Sequence, residues 1–348
     1  MRTLATAACA ALLAVAAAGC GGGSSAKTTS TAAASGAGAG IKVGLVTDIG
    51  QLNDRGFNHL AYTGLKRAER ELGIQGRVLE SPSAADYVPN LSTLARQGYD
   101  LIIGVGFDQA DAVAAVAKKF PDRHFAIVDV DQTTLTGKPA NVRGLLFREQ
   151  QVGYLAGYLA GLVAKQGIGT GAPAATVSTV GGQKQPPVDR FIAGYQAGAK
   201  KADPGVKLLN AYSQDWVAQD KCKELALNQI AAGSKVVFQV AGGCGLGALD
   251  AAKQKHVWGI GVDADQAYIG PQILTSAVKR VDVDVYTTIA QLRNGVFKSG
   301  RTFGFKVLNG GIDIGKISSK VPKKYVRAVM AIKNKIKHNK IHIPNTVP

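Results

Sequence analysis

The chain alternates between short apolar runs and helix-like stretches, and it does so twice. In the first half "IKVGLVTD" (41–48) precedes a helical period at 56–72, "GRVLESP" (76–82) precedes "YVPNLSTLARQG" (87–98), "YDLIIGVGF" (99–107) precedes "QADAVAAVAKKFP" (109–121), and "HFAIVDVD" (124–131) follows. "NVRGLLFRE" (141–149) leads into a Gly/Ala-rich helix at 150–165, and the alternation restarts with "AATVSTVGG" (174–182), "VKLLNAYS" (206–213), "SKVVFQVAGG" (234–243), "HVWGIGVDAD" (256–265) and "QILTSAVKR" (272–280). Short runs that are apolar on both faces, separated by helices, are the mark of a parallel sheet covered on both sides. With roughly 300 residues in this pattern, two separate cores can be buried. The predicted class is α/β, in two Rossmann-like lobes.

Open parallel sheets bind ligands beyond the carboxyl ends of their strands. In the first half those ends carry Asp48, Phe107 and Asp129; in the second they carry Gly242, Gly243, Asp263 and Lys279. Two lobes that face their strand ends toward each other enclose a cleft. The turn after the first strand, "VTDIGQLNDRGFN" (46–58), then forms one wall and offers Asp48, Asp54, Phe57 and Asn58. Asp54 reads both as a cap for the helix at 56 and as a ligand contact. Phe57 reads as a ring facing the cleft or as core, with Phe107 as the alternative ring.

The amino terminus predicts export. Met1-Arg2, an apolar run from Leu4 to Ala18, and small residues before Cys20 make a signal peptide over 1–19, too short to span a bilayer. "AAGC" (17–20) resembles a bacterial lipobox, which predicts cleavage before Cys20 and lipid attachment to it. Residues 20–40 hold no large apolar side chain and predict a disordered tether. The localisation expected is the outer face of the cell membrane. Once Cys20 is acylated, Cys222 and Cys244 remain as an even pair, open to bridging in an oxidising compartment. No Cys-x-x-Cys and no His cluster supports a metal site, and no cofactor is expected.

The formal net charge is +17. No acidic residue follows Asp313, while nine Lys or Arg lie from Lys316 to Lys340. Within 323–337, Tyr325, Val329, Ile332 and Ile336 share one helical face, which predicts a packed helix with a solvated basic side. Nucleic acid is not an expected partner of an exported chain. An enzyme is disfavoured: there is no phosphate-binding Gly-x-x-x-x-Gly-Lys-Ser/Thr loop, "GGCGLG" (242–247) is a lone glycine-rich turn, and the five histidines fall in no catalytic motif. A repressor-type sensor would need a DNA-binding headpiece where the export signal stands.

Seven segments together resemble the basic membrane protein family, the nucleoside-binding lipoproteins of bacterial ABC importers. They are "VTDIGQLNDRGFN", "GFDQADAVAAVAKKFPD", "REQQVGYLAGYLAGLVAK", "GGQKQPPVDRFIAGYQAGAK", "AGGCGLG", "GVDADQ" and "TSAVKRVDV", and the likeness spans about residues 41 to 345. Cys222 and Cys244 depart from it, standing where Gly and a small or hydroxyl residue are expected. The resemblance implies a type I periplasmic-binding fold with three crossovers, near 144–149, 272–280 and 303–309. It implies a first lobe of 41–147 plus 275–304 and a second of 148–274 plus 305–348. It also implies a monomer that carries a purine nucleoside to a membrane permease. Phe57 and Trp216 then become candidates to stack on the base, and Asp263 the acceptor for ribose hydroxyls. Lys279 becomes a donor to ligand oxygens, Asp48, Asn58 and Asp129 readers of base or ribose edges, and Gly242 and Gly243 close backbone approaches. The alternatives are a different small polar ligand, such as a sugar derivative, in the same transport role, or a membrane-tethered sensor.

Overall fold

The structure, a computed structural model, describes residues 40–348. The expected signal peptide, Cys20 and all but the last residue of the tether lie outside the described residues. The first lobe opens with β1 (Lys42–Val46), α1 (Phe57–Leu72), β2 (Gln75–Leu79), α2 (Tyr87–Arg96), β3 (Leu101–Val105), α3 (Ala110–Lys119), β4 (His124–Val128) and β5 (Val142–Phe147). After Arg148 the chain passes to the second lobe with α4 (Glu149–Lys165), β6 (Thr176–Gly181), α5 (Pro186–Ala202), β7 (Lys207–Tyr212), α6 (Gln219–Ala231), β8 (Val236–Val240), α7 (Gly245–Gln254), β9 (Trp258–Asp263) and β10 (Ile273–Lys279). It returns through α8 (Val281–Arg293) and β11 (Arg301–Phe305), then finishes in the second lobe with β12 (Ile312–Ile314) and α9 (Lys323–Lys337).

Each lobe holds a six-stranded sheet. The orders are β11-β5-β4-β3-β1-β2 and β12-β10-β9-β8-β6-β7. All pairings are parallel except β10 with β12. β3 and β8 are buried along their whole length, as expected of strands covered on both faces. The lobe boundary differs from the sequence-based expectation. The return to the first lobe comes after Lys279 rather than at 275, because β10 pairs with β9 from Ile273 to Val278 and with β12 through Lys279. Only then does α8 pack on α1, where Gly64 lies against Asp282 and Val285.

The Gly/Ala-rich α4 has a packing reason. A methyl group at Gly157 would run into the carbonyl of Tyr195, so α4 and α5 meet backbone to backbone. α9 covers α4 with Val329, Ile332 and Ile336 buried, and Tyr325 packs at the edge of the same core. Its lysines face outward, apart from half-buried Lys333, which pairs with Asp313. No helix among the described residues is long and apolar enough to cross a membrane.

Candidate functional site

The turn between β1 and α1 builds one wall of a cavity between the lobes. Asp48 Oδ1 accepts from the Gly50 amide at 2.9 Å and from Asn58 Nδ2 at 2.7 Å. Asp54 Oδ1 accepts from the amides of Gly56 and His59, and its Oδ2 from the amide of Asn58 at 2.7 Å. Asp54 therefore caps the first turn of α1, whose start at Phe57 otherwise leaves amides unpaired. It also lines the cavity. Phe57 packs partly on the core and presents its ring to the cavity.

The strand ends supply the facing carboxylates. Asp129 follows β4 and Asp263 closes β9, each in the left-handed region, with φ of 72° and 62°. Asp adopts that conformation more readily than most residues. The surrounding "DVDQ" (129–132) and "DADQ" (263–266) repeat one another. In each, the second Asp accepts from the amide two residues on, and the Gln is buried. The two lobes thus bring equivalent, buried carboxylates to a shared space.

Their electrostatic situations differ. Both oxygens of Asp129 accept from Lys279 Nζ, at 2.6 and 2.7 Å. The same ammonium lies 3.1 Å from Glu149 Oε1, while Glu149 Oε2 accepts from Arg190 Nε at 2.6 Å. The rings of Phe147, Phe57 and Phe191 surround Lys279, with centroids 4.9, 5.0 and 5.8 Å from Nζ. Asp263, only 7% exposed, has no side-chain hydrogen bond among the described residues. Burial pushes Asp263 up to about 7, against the pull of Lys279. Burial likewise raises Asp48 to about 7, against the bonds from Asn58 and Gly50. Burial also raises Asp129 despite the Lys279 charge. Burial acts to lower Lys279, yet the charges of Asp129, Glu149 and Asp263 outweigh it and hold the ammonium above its usual range.

Trp216 stands on the loop between β7 and α6. Asp215 Oδ1 accepts from the amides of Val217 and Ala218, and Lys221 pairs with its other oxygen. The Cys244 amide donates to the Trp216 carbonyl at 2.9 Å. Cys222 and Cys244 are joined by a disulfide with Cα atoms 5.6 Å apart, tying the start of α6 to the start of α7 beside this loop. The indole N–H reaches the first lobe, donating to Asp108 Oδ2 at 3.2 Å. Gly242, at φ 55°, puts a bare backbone against the indole edge, where a Cβ would sit 3.7 Å from it.

With this geometry in view, residues 41–347 match the family of PnrA-like ABC transporter substrate-binding proteins. The chain belongs to that family. Among its relatives, the ABC transporter nucleoside-binding protein BmpA of Lactococcus lactis is 32% identical over 297 residues, covering 79% of this chain and 81% of that one. An uncharacterised lipoprotein of Pyrococcus horikoshii is 36% identical over 279 residues, covering 76% and 67%. A crystal structure of an ABC transporter solute-binding protein from Aeropyrum pernix superposes with a TM-score of 0.80 at 27% identity, covering 88% of this chain and 94% of that one. The fold is that of the periplasmic binding proteins, and the chain is an ABC substrate-binding protein.

In this PnrA-like protein the space open to the centre of a water molecule in the cleft is about 70 Å³, a narrow slot. Asp48, Asp54, Phe57, Asn58, Phe107, Asp129, Trp216, Gly242, Asp263 and Lys279 all line it. Gly243 does not; it turns toward the Trp216 carbonyl, which a Cβ there would approach to 3.3 Å. Lys279, expected as a ligand donor, donates to Asp129 and lies beside Glu149 in this structure. Sequence reasoning missed Gln185, Pro187, Val188 and Phe191, which line the slot from the start of α5, and the supports Asp108, Glu149 and Arg190. A signal existed for α5: it follows β6, the second lobe's equivalent of β1, so "GGQKQPPVDRF" (181–191) is the counterpart of the turn that drew notice in the first lobe.

Proposed function

We propose that the chain captures a purine nucleoside and delivers it to an ABC permease. The observation that carries this reading is a slot walled by aromatic rings and edged by buried carboxylates with free acceptor capacity. Phe57, Phe107, Phe191 and Trp216 supply flat apolar faces for a base, and such stacking contributes about 1–3 kcal/mol per base. Asp263 accepts from the two ribose hydroxyls, and Asp48 from a donor on the sugar or the base. Among the described residues the one ammonium lining the slot, Lys279, is paired with Asp129, while Asp48, Asp54 and Asp263 face the same space without an ion pair. A phosphate would meet uncompensated negative charge there, so the occupant is a neutral, donor-rich nucleoside rather than a nucleotide.

Delivery needs no chemistry on the ligand. Contacts to both lobes favour the closed form, and opening about the three crossovers releases the nucleoside to the permease. A lipid on Cys20 and the tether that follows hold the monomer at the outer membrane face and raise its local concentration beside that permease. Lipoprotein relatives and the Cys20 motif support this anchoring. Mass spectrometry of small molecules that co-purify with the protein tests the reading. A purine nucleoside released on denaturation is the expected result; a sugar or other polar metabolite in its place would keep the transport role and discard the nucleoside.

A further inference from the structure

The chain from Arg293 to Lys340 carries positive charge that its own acids do not balance. Four Lys or Arg lie from Arg293 to Lys306, besides the nine from Lys316 to Lys340, and the one acidic residue in the span is Asp313. Asp313 pairs with Lys333, and no other of these thirteen cations makes a salt bridge among the described residues.

Exposed apolar side chains concentrate in the same stretch. Val296, Phe303, Leu308 and Met330 are four of the seven large apolar residues that stand exposed among the described residues. The elements that carry them adjoin. Phe297, next to Val296, and Phe303 both lie against the Arg143 guanidinium, with ring centroids 3.9 and 5.5 Å from it. Phe303 sits on β11, the edge strand of the first sheet. The short turn Val307–Asn309 follows β11 and carries Leu308, and α9 packs against that turn. On α9, Lys323, Arg327, Met330 and Lys337 recur along the side opposite buried Val329, Ile332 and Ile336.

Apolar side chains set among unpaired cations call for a partner that is both anionic and partly apolar. A second copy of this chain laid on the same face would set like charge against like charge. An anionic bilayer supplies the missing negative charge from its headgroups and takes apolar side chains at the headgroup boundary. The anchoring proposed above keeps such a bilayer within reach.

We propose that this face, from Val296 to Leu308 with the outer side of α9, docks on the anionic lipid headgroups of the membrane. The cations lie against the headgroup phosphates, while Phe303, Leu308 and Met330 enter the boundary beneath them. The docking rests on the proposed anchoring only for proximity, and it does not depend on what the cleft binds.

Hydrogen-exchange mass spectrometry on the full chain tests the proposal, with vesicles of phosphatidylcholine alone and of phosphatidylcholine mixed with phosphatidylglycerol. Slower exchange over 296–309 and 323–337 on the anionic vesicles than on the neutral ones is expected. Added salt should abolish the difference, since it screens exposed charge. The variant Lys323→Glu/Arg327→Glu/Lys337→Glu should lose it as well, and a thermal melt checks that this variant is folded. Sedimentation with the neutral vesicles reads the lipid anchor, whereas the difference between the two vesicle types reads the surface, so failure of one is told apart from failure of the other. Equal exchange over both segments on the two vesicle types would overturn the proposal and turn the search to an acidic protein. A difference that the charge-reversal variant retains would overturn it too.

Discussion

The Trp216 indole, on the second lobe, donates to one oxygen of Asp108 on the first at 3.2 Å, and the other oxygen accepts from Gln185 at 2.5 Å. One carboxylate thus receives two donors across the cleft. These bonds can persist only while the lobes are closed. On the proposed function Asp108 would act as a latch, and the ring that walls the slot would also fasten it.

Trp216→Phe keeps an aromatic face and removes the N–H. The bond is partly buried, so its loss should cost about 1 kcal/mol of closure. Ligand release should quicken about fivefold with little change in association. Stopped-flow fluorescence on the variant measures both rates. An unchanged release rate would remove Asp108 from the closing mechanism.

The two raised carboxylates give a pH dependence with opposite signs for stability and for binding. Asp48 and Asp263 sit near 7 in the folded protein and near 3.8 unfolded, so the folded state holds the extra protons. Their ionisation destabilises the unliganded protein, and this contribution to stability falls as pH rises from about 4 to about 7. Ligand hydroxyls need the ionised form as acceptor. Affinity should therefore rise with pH, by about tenfold for each carboxylate between pH 6 and pH 8. Calorimetry across that range reads it; an affinity flat from pH 6 to pH 8 would place the ligand's donors elsewhere.

Lys279→Met should be costly for folding. It strips the buried counter-charge from Asp129 and Glu149, and breaking such a pair by one partner costs about 3–5 kcal/mol. Urea unfolding of the variant checks the magnitude. A loss under about 1 kcal/mol would mean that the network is held together by Arg190 alone.

The disulfide closes a loop with a separation of 22 residues. Its removal in Cys222→Ala/Cys244→Ala should cost about 3 kcal/mol in the chain-entropy description. The Cys244 amide that holds the Trp216 carbonyl survives in this variant, but the bridge that fixes its position does not, so ligand affinity should fall with it. Stability reduced with affinity unchanged would show that the Trp216 loop is held by Asp215 without the bridge.

The fold was legible because strands apolar on both faces declare a parallel sheet, and β1, β3, β4 and β5 follow that pattern. Asp48, Asp129 and Asp263 could be found because they are carboxylates at strand ends, where the fold places ligands. What a single strand cannot show is the partner from elsewhere. Lys279 was recognisable as a charge at the end of β10, but the Asp129 that occupies it lies 150 residues away on the other lobe. Asp108 and Gln185, 77 residues apart, meet only through lobe closure. The lobe boundary expected at 275 falls inside β10 for a related reason: "TSAVK" reads equally as the last strand of one lobe or the first of the other until β12 pairs with it.

Calorimetry with adenosine, guanosine, inosine and their free bases, on the wild type and Asp263→Ala, tests the central claim most directly. The wild type should bind purine nucleosides well above the free bases. Asp263→Ala should lose about 1.5–3 kcal/mol, roughly ten- to a hundred-fold in affinity, and with it the preference for nucleoside over base. A wild type that binds no nucleoside, or an Asp263→Ala variant that still prefers nucleoside over base by the same ratio, would contradict the account.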